Sequence, residues 1–360
     1  MKTYLAVLIG SALCAFFLTP WVRMLAFRWG AVDLPASRKV HMKAMPRLGG
    51  LAVYVGFVVC WVGFYVIDNR VSEVFQSYEK RLLGLAIGSC LMLVLGIYDD
   101  IKGADARKKL VVQLLAATCL IASGMRIETL TNPFGAPFEL GWLSIPFTLL
   151  WVVGVTNAVN LLDGIDGLAT GVAACIGLTL AVFSIWMNNV IVAVLSLCLT
   201  GACLGFLPHN YYPARIFLGD TGSLVLGFIL SAVGIMSVFK APTAAAILLP
   251  ILIFALPIFD TSSVIIGRVV RGDAIFEADK SHVHHRLLDL GWSHKKASTF
   301  LYLLTGLFGF CALAMSLVGS IRFIAVVFVM VIVLVLSLIW SWRRAINGGT
   351  RDRKKEVHHD

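Results

Sequence analysis

The sequence predicts an all-α integral membrane protein of about eleven transmembrane helices, with its N-terminus outside and its C-terminus cytoplasmic. Three observations carry that expectation. Hydrophobic residues make up 59% of the 360 residues and charged residues only 14%, against roughly 45–50% and about 25% in soluble domains. Apolar runs recur along the whole chain, and about 20 apolar residues cross roughly 30 Å of hydrocarbon. The basic residues fall between those runs, predominantly on one side.

In order, the spans are expected near 3–20, 48–67, 82–98, 110–124, 142–159, 169–187, 190–207, 218–238, 243–266, 298–319 and 321–341. An odd count sends the two termini to opposite sides. With the N-terminus outside, 23 of the 30 Lys and Arg residues lie on inner segments and 7 on outer ones, a strong positive-inside bias. The net charge of +10 therefore reads as topology, and nucleic-acid binding is excluded as its explanation. The first run reads as a span and not as a cleaved signal peptide. No small-x-small site follows it, and Trp21, Arg23 and Arg28 resemble an interface anchor. Eight cysteines sit in or beside apolar runs without a CxxC pair, so they read as packing residues. Residues 1–341 form one polytopic domain, and the basic tail 342–360 is expected to be a disordered cytoplasmic end.

The acids point to a site. Fifteen of the 20 lie on or near the inner face, many at the ends of spans. A carboxylate at membrane depth is costly and usually functional. Asp99 and Asp100 close the third span; adjacent carboxylates repel unless a cation such as Lys102, Lys108 or Lys109 neutralises them. Asn157, Asn160 and Asp163 are spaced by three, one helix face, and Asp166 follows between Gly164 and Gly167. The final Glu of an EF-hand is missing there, against a calcium loop. Arg215, Phe217 and Asp220 lead into the eighth span beside a Gly/Ser-rich helix start. That set suits a nucleotide diphosphate with magnesium, which takes few carboxylates plus substrate phosphates. The longest inner loop carries Arg271, Asp273, Glu277, Asp279, His282, His284, His285 and Arg286. Its cations favour an anionic diphosphate over a zinc ion.

Four motifs in order, Tyr98-Asp99-Asp100, Asn157 through Leu168, Phe217-Leu-Gly-Asp220-Thr-Gly-Ser and Asp279-Lys-Ser-His282-Val-His284-His285, closely resemble the polyprenyl-phosphate N-acetylhexosamine-1-phosphate transferases. The resemblance spans about residues 30–300. The muramyl-pentapeptide branch has three consecutive histidines followed by glutamate in the last loop, whereas this chain has His282-Val-His284-His285-Arg286. It therefore looks like the undecaprenyl-phosphate GlcNAc-1-phosphate transferase branch.

The resemblance implies transfer of GlcNAc-1-phosphate, or a related N-acetylaminosugar phosphate, from a UDP-sugar to undecaprenyl phosphate. UMP would leave, and a lipid-linked cell-surface glycan would begin. It implies a bacterial inner membrane enzyme with its site on the cytoplasmic face, dependent on Mg2+ with Mn2+ as a substitute, and leaves room for a homo-oligomer. Asp220 would hold the metal with Asn160. Asp99 would be the base for the lipid phosphate, while Asp100, Asp163 and Asp166 would shape the catalytic site. Phe217 would stack on uracil, and Asn157, Arg271, His282, His284, His285 and Arg286 would contact substrate. The competing readings are a lipid-linked glycan transporter, for which Asp260 is the best intramembrane candidate, and a non-catalytic assembly partner.

Overall fold

The computed structural model describes residues 2–33, 44–67, 70–130, 138–237, 248–272, 282–318 and Val329. Long helices dominate it: α1 (Lys2–Trp29), α2 (Gly49–Val66), the short α3 (Arg70–Ser77), α4 (Glu79–Lys102), α5 (Ala106–Ala122), α6 (Ser144–Leu161), α7 (Leu168–Trp186), α8 (Val190–Asn210) and α9 (Asp220–Ser237). Then follow α10 (Leu248–Ile253), α11 (Ala255–Arg271), α12 (Val283–Asp289) and α13 (His294–Val318). Eight segments among the described residues are long and apolar enough to cross a membrane. The fourth expected span appears as α5, only 17 residues long. The ninth appears as two pieces, α10 and α11, broken at Phe254. Apart from Val329, the eleventh expected span and the basic tail lie outside the described residues.

The bundle is built around α9. Every residue of α9 except Asp220 is buried, and α2, α4, α6, α7 and α8 pack against it. A helix that is apolar on all faces belongs in such a position. Its first residue is Asp220, so the most enclosed of the described helices carries an acid at its mouth. α7 and α8 are also mostly buried, while α1 and α2 close the side next to α8. Trp151 of α6 donates its indole N–H to the Ser231 carbonyl of α9 at 3.1 Å, which ties these two helices deep in the bundle.

Two miniature antiparallel hairpins interrupt the helical pattern. β1 (Val32–Asp33) pairs with β2 (Met45–Pro46), and β3 (Thr129–Leu130) pairs with β4 (Phe138–Glu139). The first helps to build the site. Beyond it, Phe217 N–H donates to the Pro46 carbonyl at 2.8 Å. Gly49 and Gly50 N–H donate to the Phe217 and Leu218 carbonyls at 3.0 and 2.8 Å. The start of α2 is thereby laced to the loop that enters α9.

Candidate active site

Helix ends converge at one end of the bundle. Asp99 and Asp100 lie near the end of α4, and Lys109 in the first turn of α5. Asn157 and Asn160 lie in the last two turns of α6, and Asp220 at the start of α9. Lys109 Nζ is 2.5 Å from Oδ2 of Asp99 and 2.5 Å from Oδ2 of Asp220. One ammonium thus holds together two carboxylates that would otherwise repel. Of the three lysines open to this task, only Lys109 performs it: Lys102 lies over the Tyr98 ring, and Lys108 pairs with Asp105 at 3.6 Å.

The remaining oxygens of both acids are also engaged. Asp99 Oδ1 accepts the Ala104 N–H. Asp220 Oδ1 accepts from Asn160 Nδ2 at 3.0 Å. The same Asn160 nitrogen donates to Ser223 Oγ at 2.8 Å, and Ser223 passes its own proton to the Gly219 carbonyl at 3.2 Å. Because that hydroxyl proton is spent, Ser223 can only accept from Asn160, which orients the amide.

Asp100 is almost fully buried. It accepts from Asp220 N–H at 3.1 Å, Thr221 N–H at 2.9 Å and Thr221 Oγ at 2.7 Å. It therefore caps α9 from another helix, satisfying donors that a helix start leaves free. Arg47 bridges the flank, 3.9 Å from Asp100 and 3.8 Å from Asp33. Gly219, at φ +73°, must be glycine: a Cβ there would collide with the Arg47 carbonyl and the Asp100 carboxylate.

The loop between α6 and α7 forms the next wall. Burial, and then the charges of Asp220 and Asp100, raise the Asp163 carboxyl to about 8. Asp166 is buried and accepts the Ala214 N–H at 2.9 Å, which anchors the loop carrying Phe217. Phe217 itself is half-buried. Asn157 lies one turn deeper in α6 than Asn160. It exchanges amide hydrogen bonds with Gln113 of α5, at 2.8 and 3.1 Å.

The histidine motif lies against this wall. His284 is buried, and a Cβ on Gly164 would strike its Nε2. Burial, then His285, hold His284 down at about 3, so it is neutral at pH 7. The His284 and His285 rings are 4.3 Å apart, and His282 stacks on His284 at 5.7 Å. Arg286 is in the last turn of the short α12. Arg271 ends α11, but its side chain, with Asp273, Glu277 and Asp279, lies outside the described residues.

The structure thus brings Asp99, Asp100, Asn160 and Asp220 into one hydrogen-bonded cluster, with Asn157 one turn deeper. Asp166 and His284 lie at the loop that begins with Asp163. Sequence reasoning passed over Arg47, Gln113 and the pairing of Asp260. Gln113 had a visible signal, a lone amide inside an apolar run. Arg47 had none, since its partner arrives by tertiary folding.

A long-helix bundle with acids, amides and a lysine gathered at one end defines a polytopic membrane protein with a polar site at the mouth of its core. The chain belongs to the glycosyl transferase family 4, whose model matches residues 82–238, from the start of α4 through α9. It is 40% identical over 340 residues to the "Probable undecaprenyl-phosphate N-acetylglucosaminyl 1-phosphate transferase" of Bacillus subtilis, covering 92% of this chain and 91% of that one. It is 35% identical to the decaprenyl-phosphate N-acetylglucosaminephosphotransferase of Mycolicibacterium smegmatis, covering 84% and 79%. It is 31% identical to the phospho-N-acetylmuramoyl-pentapeptide-transferase of Caldanaerobacter subterraneus, covering 80% and 90%.

Proposed function

We infer that this chain transfers GlcNAc-1-phosphate from UDP-GlcNAc to a polyprenyl phosphate, undecaprenyl phosphate in particular, at the cytoplasmic face of a bacterial inner membrane. The observation that carries this reading is the shared ammonium of Lys109 between Asp99 and Asp220, in a chain whose relatives bear names of that activity. The positive-inside bias supports the orientation.

The reaction asks for little covalent help from the protein. An oxygen of the lipid phosphate attacks the phosphorus bonded to the sugar, and the bond from that phosphorus to the bridging oxygen breaks. UMP leaves carrying that oxygen. Positioning and charge neutralisation dominate such a transfer. Asp99 is the candidate base for the incoming lipid phosphate. Asp100 holds the α9 entrance, and with it Asp220, in place. Asp163 and Asp166 shape the polar wall. Phe217 offers a ring for the uracil, and Asn157 lines the deep end. Arg271, His282, His284, His285 and Arg286 supply donors for the diphosphate and sugar.

Magnesium fits the donor set. Among the described residues, no three His, Cys, Asp or Glu side chains gather into a complete metal cage, but magnesium needs only one or two carboxylates plus substrate phosphates. Asp220 would hold it, and Asn160 would join once its amide turned to present the oxygen in place of the nitrogen that faces Asp220. The bound ion would neutralise charge on the diphosphate.

The test is direct. Protein purified in detergent, given UDP-GlcNAc and undecaprenyl phosphate, should release UMP. EDTA should stop the release, and magnesium or manganese should restore it. Asp220→Asn should insert normally and release none. Absence of UMP from the native protein, or ordinary turnover by Asp220→Asn, would overturn the reading.

A further inference from the structure

Asp260 is a buried carboxylate with a task outside the cluster described above. It sits in α11 and is 1% exposed, and His282 is 5% exposed. One oxygen, Oδ2, lies 2.9 Å from His282 Nδ1. The other, Oδ1, accepts the Val283 N–H at 2.7 Å. That N–H opens α12, whose first residues are Val283, His284, His285 and Arg286. The Asp260 carbonyl in turn accepts from Ser263 Oγ at 2.8 Å, which is local to α11.

We propose that Asp260 is the positioning residue for the histidine motif: one carboxylate sets the ring of His282 and the start of α12 together, and so seats the motif on the loop at Gly164. The proposal rests on the transferase reading and deepens it by adding a residue for the same site.

The chemistry follows from the two contacts. A carboxylate accepts only, so Nδ1 of His282 must carry a proton toward it, and the ring is left with Nε2 to offer elsewhere. This is how a partner carboxylate fixes both tautomer and ring plane. The other contact satisfies a backbone donor that the start of α12 would leave free. Both acts bear on groups further along: His282 stacks on His284, and His284 packs on Gly164. A buried carboxylate without partners would be expensive; here both oxygens are used. A proton-carrying intramembrane acid, as in the transporter reading, would not be tied in this way to a loop motif.

The two contacts can be separated by substitution. In Asp260→Asn the amide oxygen can still accept the Val283 N–H, but the NH2 group now faces Nδ1 and demands the opposite tautomer. In Asp260→Ala both contacts are gone. The experiment compares the native protein, Asp260→Asn, Asp260→Ala, His282→Ala and the pair Asp260→Asn/His282→Ala. Hydrogen exchange across residues 283–289 and UMP release are read for each. Asp260→Ala should speed exchange at 283–286 by about tenfold or more, while Asp260→Asn should leave it near native. Asp260→Asn should nevertheless lower kcat by about tenfold or more. The paired variant should be no slower than His282→Ala alone, because Asp260 acts through His282.

Losses that multiply in the paired variant, or native exchange in Asp260→Ala, would overturn the proposal. Should the native protein release no UMP, the transferase reading falls. The exchange measurements then decide whether Asp260 holds α12.

Discussion

Asp100 accepts both the backbone N–H and the side-chain hydroxyl of Thr221, at 2.9 and 2.7 Å. A helix normally finds its cap in the residue just before it. Here the cap comes from the end of a different helix, 121 positions away. The acid that caps α9 is the neighbour of Asp99, and the first residue of the capped helix is Asp220. The geometry between Asp99 and Asp220 is therefore set by backbone contacts as well as by Lys109.

Removing that cap should loosen the site and the fold together. Asp100→Ala leaves three donors without this acceptor, the two of Thr221 buried and costing about 1–3 kcal/mol each. A fall in melting temperature in detergent is expected, with loss of UMP release. Thr221→Val removes only the hydroxyl contact and should cost about 1 kcal/mol. A Thr221→Val protein less stable than Asp100→Ala would contradict the assignment.

Lys109 should matter for the same two acids. Lys109→Met leaves Asp99 and Asp220 facing one another without their shared cation. A hydrogen bond to a charged group is worth about 1.5–3 kcal/mol, so kcat/KM should fall by roughly 10- to 100-fold. Lys102→Met should change it far less, since Lys102 lies over Tyr98. Equal losses in the two variants, measured by UMP release, would refute the special place given to Lys109.

Much of the fold was readable because bilayer thickness imposes a length on every span. Composition and run length marked α1, α2, α4, α6, α7, α8, α9 and α13 with no tertiary information. The break at Phe254 has a signal in Pro257, which has no N–H for the Ile253 carbonyl and crowds it with its ring, although the apolar run itself continues unbroken. In the candidate site, Asp99, Asp100, Asn160 and Asp220 stood out as polar groups at the ends of apolar runs. Their division of labour did not. Asp99 and Asp100 are adjacent in sequence, yet one faces Lys109 and the other the backbone of α9. Successive helical residues point about 100° apart, and only the packing of α4 against α9 decides which acid meets which partner. From sequence Asp260 stands only as an intramembrane acid suited to a transporter, because its partner, His282, is 22 residues away.

Asp163 gives a pH signature. Burial and the nearby Asp220 and Asp100 raise its carboxyl to about 8 in the folded protein, against roughly 3.9 in an unfolded chain. The folded state therefore favours the protonated acid. That contribution is complete below about pH 4 and is lost as pH rises toward 8. Asp163→Asn mimics the protonated form at every pH. Its melting temperature should exceed that of the native protein at pH 8, with the difference shrinking toward pH 5. A difference independent of pH would show that Asp163 does not titrate this way.

Gly164 offers a steric test of how the histidine motif is seated. The space where its Cβ would stand is filled by Nε2 of His284, and both ring nitrogens of His284 are buried without a hydrogen-bond partner among the described residues. Gly164→Ala must push the ring or the loop aside, at a cost of about 1–3 kcal/mol for overpacking. The melting temperature should fall accordingly. His284→Ala alone opens space, and the double variant Gly164→Ala/His284→Ala should recover most of the loss caused by Gly164→Ala, because the added methyl then enters the vacated volume. Activity need not return, since His284 is itself a candidate substrate contact. If the two stability losses simply add, the methyl and the imidazole do not compete for one space, and the seating of α12 on the loop at Asp163 is wrong.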